Sequence, residues 1–285
     1  LIIPPALVTG PFLSDFAVSL SGIIFLYFSI KEGSFPYYFN RTPVIIFFAW
    51  CLFLIVNSLI SHNYLLSLES SLFYFRFGLF SLAVWFMLEN NHNFGKYFSY
   101  SISIVFILLL IDGFIQFFLG TNLLGYEYTS GRLSSLFGDE LVLGNYLSRL
   151  SPFLFAFIAF YYSKSKNIFI LAMIILVLTD VLIYLAGERT GFFNLFLSTI
   201  IILLFTENWK RIRAITFLIS IVIITILTLS INSVKERVVD QTLNDFYMET
   251  EIIENGAPQV EGEVTQKRLF FFSTRHEAMA RISFN

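Results

Sequence analysis

Long apolar runs recur along this chain, and short connections between them carry most of its charge. The runs are about 17–20 residues long, the length that crosses the hydrocarbon core of a bilayer as a helix. That feature confines the fold class to all-α, a polytopic transmembrane helical bundle. Composition agrees: 56% of residues are hydrophobic, 36 are Phe, and only 13% are charged, where a soluble domain carries roughly a quarter. The net charge of −2 says little about partners, because the charges sit in connections. Cys51 is the one cysteine and lies inside an apolar run, so no intrachain disulfide forms.

Leu1 to Val8 reads as the tail of a first span, broken by Pro4 and Pro5. Further segments cover Phe12–Ile30, Pro43–Ile60, Ser71–Leu88, Tyr100–Leu119, Gly144–Tyr162, Ile168–Leu185, Gly191–Phe205 and Ala214–Ile231. The total is about nine spans. Basic residues alternate between connections. Lys31 and Arg41, then Lys96, then Lys164 and Lys166, then Lys210, Arg211 and Arg213 fall on one side. The positive-inside rule puts those connections in the cytoplasm. Arg132, Arg189 and everything after Ile231 then lie outside.

Two units follow: a transmembrane bundle over 1–231, whose outer loop 120–143 belongs to the candidate site, and an incomplete periplasmic loop region over 232–285. The stretch 249–263 is acidic and rich in helix breakers, the composition of a mobile segment. A helical pattern returns from Lys267. The chain starts at Leu1 without Met and stops soon after that pattern begins, so we expect a fragment missing both ends.

Three arginines in three outer connections, Arg132, Arg189 and Arg275, are the candidate chemistry. Guanidinium forks match phosphate oxygens bidentately. Each also has a plainer reading: Arg132 as an interfacial loop charge, Arg189 as the ion-pair partner of Glu188, Arg275 as a solvated helix residue. Arg149, about one turn inside the outer boundary, is a candidate support for an anion. Asp139 is a candidate cap for the helix that opens the sixth span. Asp15, Arg76, Asp112 and Arg149 are intramembrane charges, which normally face the bundle interior. Arg76 has two candidate partners, Asp15 and Asp112. Asp112 and Gln116 are spaced i, i+4 and share a helix face. His276 follows Arg275 and is a candidate base, with a surface histidine as the plainer reading. His62 and His92 have no second ligand nearby, so no metal and no cofactor is expected. The chain has no Walker A sequence, no D-x-D and no H-E-x-x-H.

On these residues the chain resembles the O-antigen ligase and O-antigen polymerase superfamily of bacterial inner membranes. The likeness starts at T-G-P-F-L-S-D, Thr9 to Asp15. It is sharpest at G-R-L-S-S-L-F-G-D-E-L-V-L-G-N-Y-L, Gly131 to Leu147, where Arg132 to Leu136 matches an R-x-x-x-L element. The G-E-R-T-G turn around Arg189 resembles the family's short Ser/Gly-Arg turn. T-R-H-E-A-M-A, Thr274 to Ala280, resembles the arginine-bearing helix of the family's large periplasmic loop.

The resemblance implies a metal-independent, membrane-embedded glycosyltransferase of lipopolysaccharide or surface-polysaccharide synthesis. It would transfer a glycan from undecaprenyl pyrophosphate to a lipid A-core sugar (a ligase) or to another lipid-linked repeat (a polymerase). Arg132, Arg189 and Arg275 would be its catalytic arginines, with Arg149, Glu188 and Asp139 assisting substrate binding. Membrane lipid is an expected partner, and nucleic acid is not. The general base is a histidine in an H-N or H-S motif in the ligases. Neither motif is present, so this fragment is expected to lack its base. Two other classes stay open: a lipid or anion transporter or flippase, and a non-catalytic subunit of a polysaccharide export complex.

Overall fold

The computed structural model describes residues 1–128, 131–162, 166–207 and 209–231 of the 285. These belong to a compact unit, Leu1–Val239. A second unit, Asp240–Asn285, lies outside the described residues, and with it Arg275, His276 and the acidic segment 249–263. The described part is all-helical. Its helices are α1 (Ile3–Thr9), α2 (Pro11–Lys31), α3 (Phe35–Phe39), α4 (Thr42–Ile60), α5 (Tyr64–Leu72), α6 (Phe75–Asn90), α7 (Phe94–Leu119), α8 (Leu143–Phe157), α9 (Lys166–Leu185), α10 (Arg189–Phe205) and α11 (Lys210–Ser230).

Among the described residues, six helices are long and apolar enough to cross a membrane: α2, α4, the broken pair α5–α6, α7, α8 with its extension, and α11. Shorter apolar helices lie at Phe169–Leu185 within α9 and at α10. The chain is a helical membrane protein. Its side chains obey the bilayer's version of burial, in which apolar groups face lipid and cannot drive helix association. Phe12, Phe160, Leu204, Phe205 and Leu229 are all exposed on the bundle's outside.

Two packed centres organise the helices. The larger joins α7, α8, α9 and α10 through Phe106, Leu109, Leu147, Leu182 and Leu195, with Leu133 of the 120–143 loop buried among them. The smaller is aromatic: Phe25 of α2 and Tyr38 of α3 meet Leu82 and Ala83 of α6. Tyr38 and Phe25 pack edge to face at 5.4 Å.

Prolines mark two local departures from the expected segments. Pro4 and Pro5 sit in the first turn of α1, where the missing N–H has no helical acceptor to lose. They start a helix instead of breaking one, and the break comes at Gly10 (φ 126°). Pro152 lies inside α8 and removes the N–H that would reach the Ser148 carbonyl. The Ser151 hydroxyl donates to that carbonyl instead, at 3.2 Å. In hydrocarbon such a freed group needs an internal partner. After Phe157 the helix widens to a π turn over Ile158–Tyr162.

Candidate functional site

At one end of the bundle α7 and α9 finish while α8 and α10 begin. The N-termini of α8 and α10 nearly touch there. A Cβ on Gly191 would lie 2.8 Å from the Gly144 carbonyl carbon and 2.9 Å from its oxygen. Only glycine lets two backbones approach that closely. Glu188, in the turn between α9 and α10, reaches across this junction. Its carboxylate accepts the N–H of Gly144 at 2.9 Å and of Asn145 at 3.2 Å. Both are first-turn donors of α8 with no intrahelical acceptor, so Glu188 caps α8 from another part of the chain.

This corrects one expectation. Asp139 does not cap α8: it is exposed, in the turn after Gly138, and the N-cap position Val142 has no side-chain cap. The Glu188 oxygens accept from the α8 backbone. Arg189 is the first residue of α10 and is exposed.

Basic side chains surround the junction. Arg132 donates from Nη2 to the Leu141 carbonyl at 2.8 Å, two residues before α8 starts. The same bond ties the loop together, so Arg132 has a structural task besides any ligand. Its Nε is buried without a hydrogen-bond partner, as is Oδ1 of Asn145. Arg149 is exposed on α8. Burial pushes the Glu188 carboxyl above the ordinary carboxylate range. The Gly144 N–H, the Arg132 charge, the Asn145 N–H and the Arg149 charge act against that shift. The structure thus gathers Arg132, Arg149, Glu188 and Arg189 at one end of the bundle. Arg275 lies outside the described residues.

The loop carrying Arg132 is pinned by α7. Asp112 and Gln116, both fully buried, share one face and point to the loop. Asp112 therefore has loop partners, not Arg76. Arg76 pairs with Asp15 at 3.0 Å.

Sequence reasoning missed a second ion pair. Asp180 of α9 meets Arg213 of α11 through Nη1 at 2.9 Å and Nη2 at 3.2 Å. The Thr199 hydroxyl accepts from Arg213, and the Ser220 hydroxyl donates to Asp180 at 3.0 Å. Arg213 was expected in a cytoplasmic connection; it is buried in α11 instead. The available signal was the lone Asp in the run V-L-T-D-V-L, since a carboxylate inside a span calls for a partner.

An apolar groove of about 480 Å³ runs between α9 and α11, between Phe169, Met173 and Val177 on one side and Ile212, Ile219 and Ile223 on the other. None of the expected site residues lines it. Comparison of the chain with family models, with curated proteins and with solved structures finds no match in any of the three.

Proposed function

We propose that the chain acts as a metal-independent glycosyltransferase of the O-antigen ligase or polymerase kind in a bacterial inner membrane. In this reading its segments cross about nine times, and the arginine-bearing end faces the periplasm. The observation that carries the proposal is that Arg132 and Arg189 lie at two adjacent helix N-termini, with Arg149 nearly two turns further along α8. Helix N-termini carry partial positive charge, which suits an anion; at α8 the Gly144 and Asn145 N–H groups are already taken by Glu188, so there the arginines do the binding.

The donor is a glycan on undecaprenyl pyrophosphate. An acceptor hydroxyl attacks the anomeric carbon and loses its proton to a base. The carbon–oxygen bond to pyrophosphate breaks, and the electron pair leaves with the lipid pyrophosphate. Negative charge grows on the departing phosphate, and arginines held beside it stabilise that charge in a site partly closed to water. Arg132 and Arg189 take this role. Arg149 adds long-range attraction. Glu188 sets the spacing of the two helix ends.

The test is transfer from an undecaprenyl-pyrophosphate donor in vitro. Arg132→Lys and Arg189→Lys should each raise the barrier by about 2.7–4 kcal/mol, as the loss of one oxyanion donor does. Lysine keeps the charge but not the fork. EDTA should leave transfer intact, and His276→Ala should matter much less. Normal product from both lysine variants would remove the arginine mechanism. The transporter reading would then gain. Against it stands the state of the intramembrane charges: Asp15, Arg76, Asp180 and Arg213 are paired with one another, and Asp112 is hydrogen-bonded to the loop.

A further inference from the structure

We infer that Asp112 and Gln116 are positioning residues: they clamp the 120–143 loop to the end of α7 and so fix Arg132 beside the α8–α10 junction. The inference rests on the reading of Arg132 as a ligand for a lipid-linked pyrophosphate. Four observations lead to it.

First, both side chains are 0% exposed, on a helix whose other buried side chains are mostly apolar. Buried polar groups must be hydrogen-bonded to be tolerated. Second, among the described residues their side-chain hydrogen bonds run to the loop. Oδ1 of Asp112 accepts the Leu123 N–H at 2.8 Å, and Oδ2 accepts the Ser135 hydroxyl at 2.8 Å. Oε1 of Gln116 accepts the N–H groups of Ser134 at 3.1 Å and Ser135 at 2.7 Å. Its Nε2 donates to the Tyr126 and Glu127 carbonyls and to the Ser134 hydroxyl. One turn of helix thus grips the loop near its start, its middle and its second half.

Third, Ser135 has φ 49° and is the sole non-glycine residue with positive φ among the described residues. Such backbone persists where its surroundings over-determine it. Here Asp112, Gln116 and Asn122 all bond to Ser135. Fourth, Arg132 lies three residues before Ser135, with fully buried Leu133 between them. Its guanidinium is tied at the other side to Leu141. Its place is therefore set from both sides.

The role needs hydrogen bonds and not charge. An asparagine at 112 accepts the Leu123 N–H through its oxygen and meets the Ser135 hydroxyl through its nitrogen. Alanine does neither. That contrast separates a clamp from an ionisable relay.

The experiment pairs amide hydrogen exchange with binding of undecaprenyl pyrophosphate to the purified chain in detergent. In Asp112→Ala the Leu123 amide should exchange faster, as should the Ser134 and Ser135 amides in Gln116→Ala. Asp112→Asn should keep parental protection. Affinity should fall roughly tenfold in Asp112→Ala, with Asp112→Asn close to the parent. Protection of the Gly144 amide, held by Glu188, reports that a variant is folded. If Asp112→Ala fails that check, Gln116→Ala carries the test. Parental exchange across the loop in the alanine variants overturns the clamp. So does Asp112→Asn behaving like Asp112→Ala, which would make charge the essential property. A loosened loop with undiminished affinity overturns the positioning of Arg132. If the parent itself does not bind the lipid pyrophosphate, the proposed function fails, and the exchange data still decide the clamp.

Discussion

The Asp180–Arg213 pair shows what one charge costs when it sits among apolar helices. The two side chains are 1% and 3% exposed. Their desolvation is tolerable because Thr199 and Ser220 complete the hydrogen bonding of a two-pronged contact. Removing one partner strands the other, at a cost of about 3–5 kcal/mol. Arg213→Ala and Asp180→Ala should each lower the thermal midpoint sharply in detergent. The double variant Asp180→Leu, Arg213→Met should recover most of the loss. A single variant that melts with the parent would show that the pair is not closed in solution. Glu188 gives a pH-dependent counterpart. Its folded-state carboxyl lies above the ordinary value because it is buried. From the ordinary value up to the raised one, the folded state holds more proton than the unfolded state, so stability falls as pH rises through that window. Ionised Glu188 also repels an incoming anion. Affinity for a lipid pyrophosphate should therefore fall as pH rises through the same window. Glu188→Gln should flatten that pH dependence, which titration of binding against pH would check.

At the scale of elements, the α8–α10 junction is the most sensitive joint. Gly191→Ala places a methyl group against the Gly144 backbone, which has no flexible end to yield. The helices must part, at about 1–3 kcal/mol for an overpacked contact. The Glu188 cap on Gly144 and Asn145 should loosen with them. Thermal unfolding and protection of the Gly144 amide would measure this, and an unshifted melt would contradict it. The helices themselves were largely legible: apolar runs marked α2, α4, α9 and α10 to within a few residues, because hydrocarbon leaves the backbone little choice. The break between α5 and α6 at Phe73 and Tyr74 was hidden, since the run stays apolar across it, and the short α3 and most of α5 fell outside the expected segments. Caps were not legible either. Asp139, an acidic residue just upstream of α8, was the expected cap, but the cap comes from Glu188, which folding brings over from a distant turn. Linear spacing carries no trace of that meeting.

For the whole molecule, the alternation of basic connections is the physical basis of the proposed orientation. Burial of Arg213 removes one charge from that count, while Lys210 and Arg211 remain exposed. Reporters fused after Glu140 should be active outside the cytoplasm and those fused at Lys31 inactive there. The reverse pattern would turn the arginine end inward and away from a periplasmic donor. Sequence placed Arg132 and Arg189 on one side by counting spans, and the fold gathers Arg132, Arg149, Glu188 and Arg189 at one end of the bundle. The loop clamp and the Asp180 pair escaped, because each joins residues from separate helices or loops. The most direct measurement is the affinity of the purified chain for a glycan-bearing undecaprenyl pyrophosphate. Arg132→Lys and Arg189→Lys should each weaken binding tenfold or more, roughly 1.4 kcal/mol per tenfold. Arg41→Lys, with its guanidinium 4.7 Å from the Tyr37 ring in a connection away from the junction, should bind as the parent does. Unchanged affinity in both junction variants, or an equal loss in all three, would contradict a pyrophosphate site at the α8–α10 junction.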